Sequence, residues 1–241
     1  MHAREDALRE AEAARLEALQ ALLVALRGSC SGGGIFNDED RFVDAAEALQ
    51  SMVAKDAANK GMVLSLGGVP LLAAPLMRGS VGEGALAAVA ALQVVVRGNT
   101  PCKDALQQAN AIPSLVAMLN AGPRADIAQE ALQTLEDLTC GHEGSSSAVL
   151  TAKGAPVIVM LTQQASPGSN TQRQAIATLL NIASCGDRAC TAVAAAGAGS
   201  MLLEVMAEPH TAKITRMAAL DLLKLMTHVS PNRRNLDKMH P

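Results

Sequence analysis

The stretch NAIPSLVAML at residues 110–119 places a proline inside an apolar segment that otherwise favours a helix. Proline is tolerated in the first turn of a helix, where its missing N–H group would have no partner, but it breaks a helix elsewhere. The stretch therefore predicts that one helix ends just before Pro113 and that a second helix begins there. The proline marks a corner between two helices.

The same corner recurs along the chain with a period of about 43 residues. Pro70 stands in GGVPLLAAPLM and Pro156 in KGAPVIVML, and Gly199 occupies the corresponding place in AGAGSMLLEVM. Two positions beyond each corner the chain has an apolar residue that we expect to be buried: Leu72, Leu115, Ile158 and Met201. A fixed period of this length indicates stacked supersecondary units and not one globular core.

Each unit repeats the same three helical segments. A short helix precedes the corner, a second helix begins at it, and a longer third helix, such as ALQTLEDLTCG at 131–141, ends near a glycine. We predict one repeat domain over 1–230, with units at about 3–55, 56–98, 99–141, 142–186 and 187–230, and a polar tail at 231–241. The first unit is the least regular, and its segment GSCSGGG at 28–34 is expected to form a flexible loop.

These corners resemble those of the armadillo-repeat family. The resemblance rests on GGVP, NAIP, KGAP and AGAG, on Asn59 and Lys60 before the first corner, and on LLNIA at 179–183 in a third helix. It covers nearly the whole chain and implies an all-α fold, a right-handed α-solenoid of about five three-helix repeats. In such a fold the third helices line a concave groove that binds proteins. We expect Leu180, within LLNIA, to face the core.

The composition agrees with this fold and limits the function. The 241 residues are 49% hydrophobic but include no Trp or Tyr, so that Ala, Leu, Val, Ile and Met must build the core. A formal net charge of −3, without a basic cluster or aromatic platforms, argues against nucleic acid as a partner. No apolar stretch is long enough to span a bilayer, and the start lacks the pattern of a secretory signal. We therefore expect an intracellular, cytoplasmic protein.

The sequence contains no recognisable catalytic, metal or cofactor motif. The glycine-rich segment lacks the Gly-Lys-Ser/Thr of a phosphate-binding loop, and the five histidines are not at metal-ligand spacing. Cys185 and Cys190 do not have the spacing of a redox pair, and the five cysteines are expected to pack as reduced, small apolar residues. We predict neither a cofactor nor an enzyme activity.

The candidate binding residues lie on the third helices. Armadillo-like importers of nuclear cargo carry an asparagine at one groove position of successive third helices and a tryptophan one turn earlier. The positions that match the asparagine are Ser51, Val94, Asp137, Asn181 and Lys224. Those one turn earlier, which match the tryptophan, are Glu47, Ala90, Gln133, Ala177 and Leu220. Only one is asparagine and none is tryptophan, which argues against that mode of binding.

Charge suggests what this groove could hold. With Asp44 and Glu130 included, it is acidic in the first and third units, apolar in the second and mixed further on. Such a surface would suit a helix or an extended segment that carries basic and apolar side chains. The alternative is a solvated helix face without a ligand.

The last helix, RMAALDLLKLMTHV at 216–229, is polar only along one narrow stripe. A helix that is apolar around most of its circumference is expected to be buried on most sides. We predict that a partner protein or a second copy covers this end at Met217, Leu222, Leu223, Leu225, Met226 and Val229. The alternative is that the polar tail folds back over it.

These patterns favour a non-catalytic scaffold or adaptor that binds proteins, as a stable subunit of a larger assembly. Armadillo-like proteins occur in cytoskeletal and ciliary structures, in transport and in signalling, and the sequence does not choose among these settings. The alternative function is a nucleotide-exchange cofactor of an Hsp70 chaperone, since some such factors resemble a small armadillo domain.

Overall fold

The computed structural model describes residues 2–31, 38–79 and 82–229, and these residues contain α-helices, one short 3-10 turn at Leu119–Ala121 and no strand. The helices are α1 (His2–Ser31), α2 (Asp38–Lys55), α3 (Ala58–Ser65), α4 (Gly68–Met77), α5 (Glu83–Val96), α6 (Thr100–Gln108), α7 (Ile112–Met118), α8 (Asp126–Thr139), α9 (Glu143–Thr151), α10 (Gly154–Gln164), α11 (Asn170–Ala183), α12 (Asp187–Ala195), α13 (Ala198–Ala207) and α14 (Lys213–His228). The predicted all-α class is confirmed.

The chain separates into two compact units, residues 1–109 with α1 to α6 and residues 110–241 with α7 to α14. The border falls between the first and second helices of the repeat predicted at 99–141, so it does not coincide with a predicted repeat boundary. Within the first unit, α2 packs against α1 and α5. Within the second unit, α11 packs against both α8 and α14.

The helices follow the predicted order of first, second and third helix, written H1, H2 and H3. The H1 helices are α3, α6, α9 and α12, the H2 helices are α4, α7, α10 and α13, and the H3 helices are α2, α5, α8, α11 and α14. Successive H1 and H2 helices bend sharply, by 72° for α3 and α4, 83° for α9 and α10, and 71° for α12 and α13. The corners predicted at Pro70, Pro156 and Gly199 are therefore real changes of direction.

The first repeat departs from the prediction. The single helix α1 precedes α2, and it continues to Ser31 through residues expected to form a loop. The segment 28–31 is helical, and residues 32–34 of that predicted loop lie outside the described residues. Helix α1 continues through these residues because one glycine followed by serine and cysteine costs a helix only about 1 kcal/mol and does not end it.

Each corner is made by a residue with a left-handed backbone that lies one or two positions before the second helix. These residues are Gly67 (φ 73°), Asn110 (φ 55°), Lys153 (φ 58°) and Gly197 (φ 89°). The prolines follow in the first turn, as predicted, and their side chains are exposed. Proline thus fixes the backbone of the first turn, while the left-handed residue lets the chain change direction.

The four core positions predicted from the period are confirmed, but the separate expectation for Leu180 is not. Leu72, Leu115, Ile158 and Met201 are fully buried. Leu180 is half-buried, whereas its neighbour Leu179 is 0% exposed. The expectation for Leu180 was wrong because adjacent helical residues point about 100° apart, and the buried face of α11 is centred on Leu179.

Candidate protein-binding faces

In the first compact unit, α2 and α5 lie side by side and together form what we call the first H3 face. On α2, Phe42, Leu49 and other apolar residues are buried, and the opposite side of the helix carries an exposed line of residues. This line consists of Asp40, Asp44, Glu47 and Ser51, which are spaced four, three and four positions apart. Such spacing places all of them along one face of the helix, so α2 presents a line of carboxylates to solvent.

The neighbouring helix α5 presents a different surface. Most of its residues are buried, and after the exposed Glu83 at its start those that reach the surface are Leu86, Ala90 and Val94, all half-buried. At its start, the backbone N–H of Gly84 donates to Oε1 of Glu39 on α2 at 3.1 Å, which fixes the two helices relative to each other. The first H3 face therefore combines an acidic line with a parallel apolar line.

In the second compact unit, α8, α11 and α14 form the second H3 face. On α8 the predicted residues Glu130, Gln133 and Asp137 are half-buried on one side of the helix, and the exposed Asp126 extends their line toward its start. The third repeat is therefore acidic on this face, as its sequence indicates.

The helix α11 makes polar contacts with α8. Nη1 of Arg173 lies 3.4 Å from Oε1 of Glu136. Nδ2 of Asn181 donates to the backbone oxygen of Glu136 at 3.2 Å and to Oγ1 of Thr139 at 3.4 Å. Ala177 is half-buried beside them. The amide donor of Asn181 thus bonds to the preceding repeat, which the sequence did not indicate.

The last helix, α14, has a buried side and an exposed side. Its predicted interface residues Leu222, Met226 and Val229 are buried within this chain, since α14 packs against α11 and α13. This part of the predicted C-terminal interface is corrected. Leu223 and Leu225 are half-buried, and only Met217 of the predicted set is exposed, at 56%.

The exposed side of α14 also contains apolar residues that the prediction left out of this interface. Ile214 is 64% exposed and Leu220 is 41% exposed. One period earlier, Thr171 and Gln174 of α11 occupy the places of Ile214 and Met217, and both are buried. Lys224 is exposed, and its Nζ lies 3.3 Å from Oδ1 of Asp221. An apolar strip therefore lies beside an ion pair.

Other features give little indication of chemistry. No group of three or more His, Cys, Asp or Glu residues that could hold a metal occurs among the described residues. Cys185 lines an open cavity of about 490 Å³ between α9 and α12, while Cys190 is buried. Burial raises the pKa of the Cys102 thiol to about 11, against an opposing effect of Lys60. A raised pKa makes a thiol less reactive at neutral pH.

By itself, no helix in the described part of the chain is both long enough and apolar enough to cross a membrane. Three bent pairs of consecutive helices meet those criteria of length and composition only when the two helices of a pair are counted as one segment. These pairs are α3 with α4, α9 with α10, and α12 with α13.

A model of the Armadillo/beta-catenin-like repeat matches residues 99–139. No protein among the curated ones matches the sequence. The fold is similar to that of the designed armadillo repeat protein YIII(Dq)4CqI, with a TM-score of 0.78 and 18% identity over 92% of this chain and 88% of that chain. The match over one repeat and the similar structures confirm the predicted resemblance to the armadillo-repeat family, and the described residues have an armadillo-type fold.

Two further designed structures are similar to this chain. The designed armadillo repeat protein YIII(Dq.V1)4CPAF in complex with the peptide (KR)4 has a TM-score of 0.77 at 18% identity, over 91% of this chain and 87% of that one. A computationally designed armadillo repeat protein for modular peptide recognition has a TM-score of 0.72 at 20% identity, over 86% of this chain and 81% of that one.

Proposed function

We propose that this protein is a non-catalytic scaffold that binds segments of other proteins on its H3 faces, and that these segments carry basic and apolar side chains. The armadillo fold supports a binding role, because designed proteins with this fold are described as made for peptide recognition and one is in complex with (KR)4. The observation that carries the proposal is the exposed line of Asp40, Asp44 and Glu47 beside the apolar line of α5.

The proposal is tested by peptide titration with charge-reversed variants. Two fluorescent probes are used, (KR)4 and a helical peptide that contains lysine and leucine, and binding is followed by fluorescence anisotropy at low and high salt. For any probe that binds, we expect Asp44→Lys with Glu47→Lys to weaken binding at least about tenfold. Added salt should weaken wild-type binding as well, because it screens exposed charges.

A matched control separates this site from a general effect of charge. Glu10→Lys with Glu12→Lys changes the net charge equally but alters exposed residues on α1. This variant should bind like the wild type. If neither probe binds, or if both double variants bind as well as the wild type, the proposed binding face is wrong.

We further propose that the protein is a stable subunit of a larger assembly, which contacts it at the exposed strip of Ile214, Met217 and Leu220 on α14. A cytoplasmic setting, including cytoskeletal or ciliary structures, belongs to this proposal. Cross-linking mass spectrometry of the protein purified with its associates tests it, because links from Lys224 to another polypeptide would identify the partner. The chaperone-cofactor alternative stays a prediction, for which acceleration of ADP release by the purified chain is the measurement.

A further inference from the structure

We infer that the first H3 face binds an α-helix of the partner, basic along one side and apolar along the next, and not an extended segment. This inference rests on the proposed function and specifies the conformation of the bound segment. It follows from the chemistry of the two lines on α2 and α5.

The apolar line cannot satisfy the backbone of an extended segment. Leu86, Ala90 and Val94 supply no hydrogen-bond donor or acceptor over about two turns of α5. An extended segment has unpaired N–H and C=O groups, which lose water when they are pressed against such a surface. A helix pairs these groups internally and therefore does not incur that loss.

The acidic line is also mismatched to an extended backbone. The carboxylates of Asp40, Asp44 and Glu47 are acceptors only, so they could receive peptide N–H groups but could donate nothing to peptide carbonyls. On this line, Ser51 is the side chain that can donate. Recognition of an extended backbone needs both donors and acceptors. The two lines offer almost entirely acceptors and apolar atoms, and the exposed donors Arg41 and Lys55 of α2 lie outside them.

The same lines fit the side chains of a helix. The spacing of Asp40, Asp44 and Glu47 is that of one helix face, and a partner helix lying alongside repeats it with Lys or Arg at i, i+4 and i+7. Apolar residues one position before or after these basic ones lie about 100° around the partner helix, where they can contact the line on α5. The acidic line from Asp40 to Ser51 is about 16 Å long, which corresponds to about three turns of a partner helix.

The charges of the face define the partner. The exposed carboxylates would repel an acidic segment. A purely apolar helix would lie next to three charges without pairing with any of them. The occupant is therefore a basic amphipathic helix of another protein, with its basic side on α2 and its apolar side on α5.

Three peptides test the conformation directly. The first has Lys at i, i+4 and i+7 with Leu at the following positions, in an alanine background that favours a helix. The second is identical except for two central prolines, which prevent a helix, and the third is (KR)4. By fluorescence anisotropy, the helical peptide should bind at least about tenfold more tightly than both others, and Asp44→Lys with Glu47→Lys should remove this binding. Glu10→Lys with Glu12→Lys is again the control.

A second variant changes the preference. Val94→Asn adds an amide with a donor and an acceptor to the apolar line, so it should weaken binding of the helical peptide and strengthen binding of (KR)4. The helix inference would be overturned if the wild type bound the proline-containing peptide or (KR)4 as tightly as the helical peptide, or more tightly. If charge reversal removed that binding, the proposed function would stand. If no peptide binds, both fail.

Discussion

At the scale of single residues, the repeat corners combine two requirements that fall on adjacent positions. A residue one or two positions before the second helix has a left-handed backbone, which glycine adopts freely, asparagine tolerates and lysine adopts only with strain. The next position lies close to its neighbours, because a Cβ at Gly154 would stand 2.5 Å from Cγ1 of Val149 and 2.9 Å from its backbone oxygen. The equivalent Ala111 and Ala198 show that other corners leave room for a methyl group.

The backbone of Lys153 is therefore expected to be strained, and replacing this lysine with glycine is expected to stabilise the protein. Lys153→Gly should raise the free energy of unfolding by about 0.5–1 kcal/mol, since it removes a left-handed non-glycine residue at an exposed position but increases the freedom of the unfolded chain. The measurement is urea unfolding followed by circular dichroism.

Two controls belong to the same experiment. Lys153→Ala keeps the strain and should leave the unfolding midpoint nearly unchanged. Asn110→Gly should stabilise less than Lys153→Gly, because asparagine adopts the left-handed region more easily. Loss of stability in Lys153→Gly would show that the lysine side chain contributes more than its backbone conformation costs.

At the scale of elements, the H3 helices α5 and α11 each have a broad buried side and a narrow line at the surface. On α11 the line includes Ala177, Leu180 and Asn181, while Leu179 lies on the buried side. Two adjacent leucines of the same helix thus have different surroundings, and they provide a test of the helix register.

We expect Leu179→Asp to unfold the protein or to abolish its cooperative thermal transition, because it buries a charge without a partner. Leu180→Asp should lower the melting temperature much less, since a half-buried aspartate can reach solvent. Thermal unfolding by circular dichroism compares the two variants. Equal damage from both would mean that the register of α11 is wrong.

At the scale of the whole molecule, successive repeats of a solenoid bury each other, and within the described residues α11 is the one H3 helix that packs against α14. On α14 this leaves Ile214 and Met217 at the surface, although the equivalent residues of α11 are buried. The apolar residues that stabilise α14 are instead Leu222 and Met226, on the side that packs against its own chain.

The two sides of α14 should respond differently to polar substitution. Ile214→Ser with Met217→Ser should change the free energy of unfolding by less than about 0.5 kcal/mol, as expected for exposed positions. Leu222→Ser should cost about 3 kcal/mol or more, because it leaves a cavity and buries a hydroxyl. Urea unfolding measures both, and comparable losses would show that Ile214 and Met217 are covered.

The sequence by itself determined the repeat period, the corners and the core positions after them, because helix ends and apolar periodicity depend on neighbouring residues. The exposure of the acidic line on α2 was predictable for the same reason. The tertiary structure alone decided that Leu179 and not Leu180 is buried, that Leu222 and Met226 face their own chain, and that Asn181 bonds to α8. These outcomes depend on where a helix about 43 residues away packs, and a local pattern contains no information about that direction.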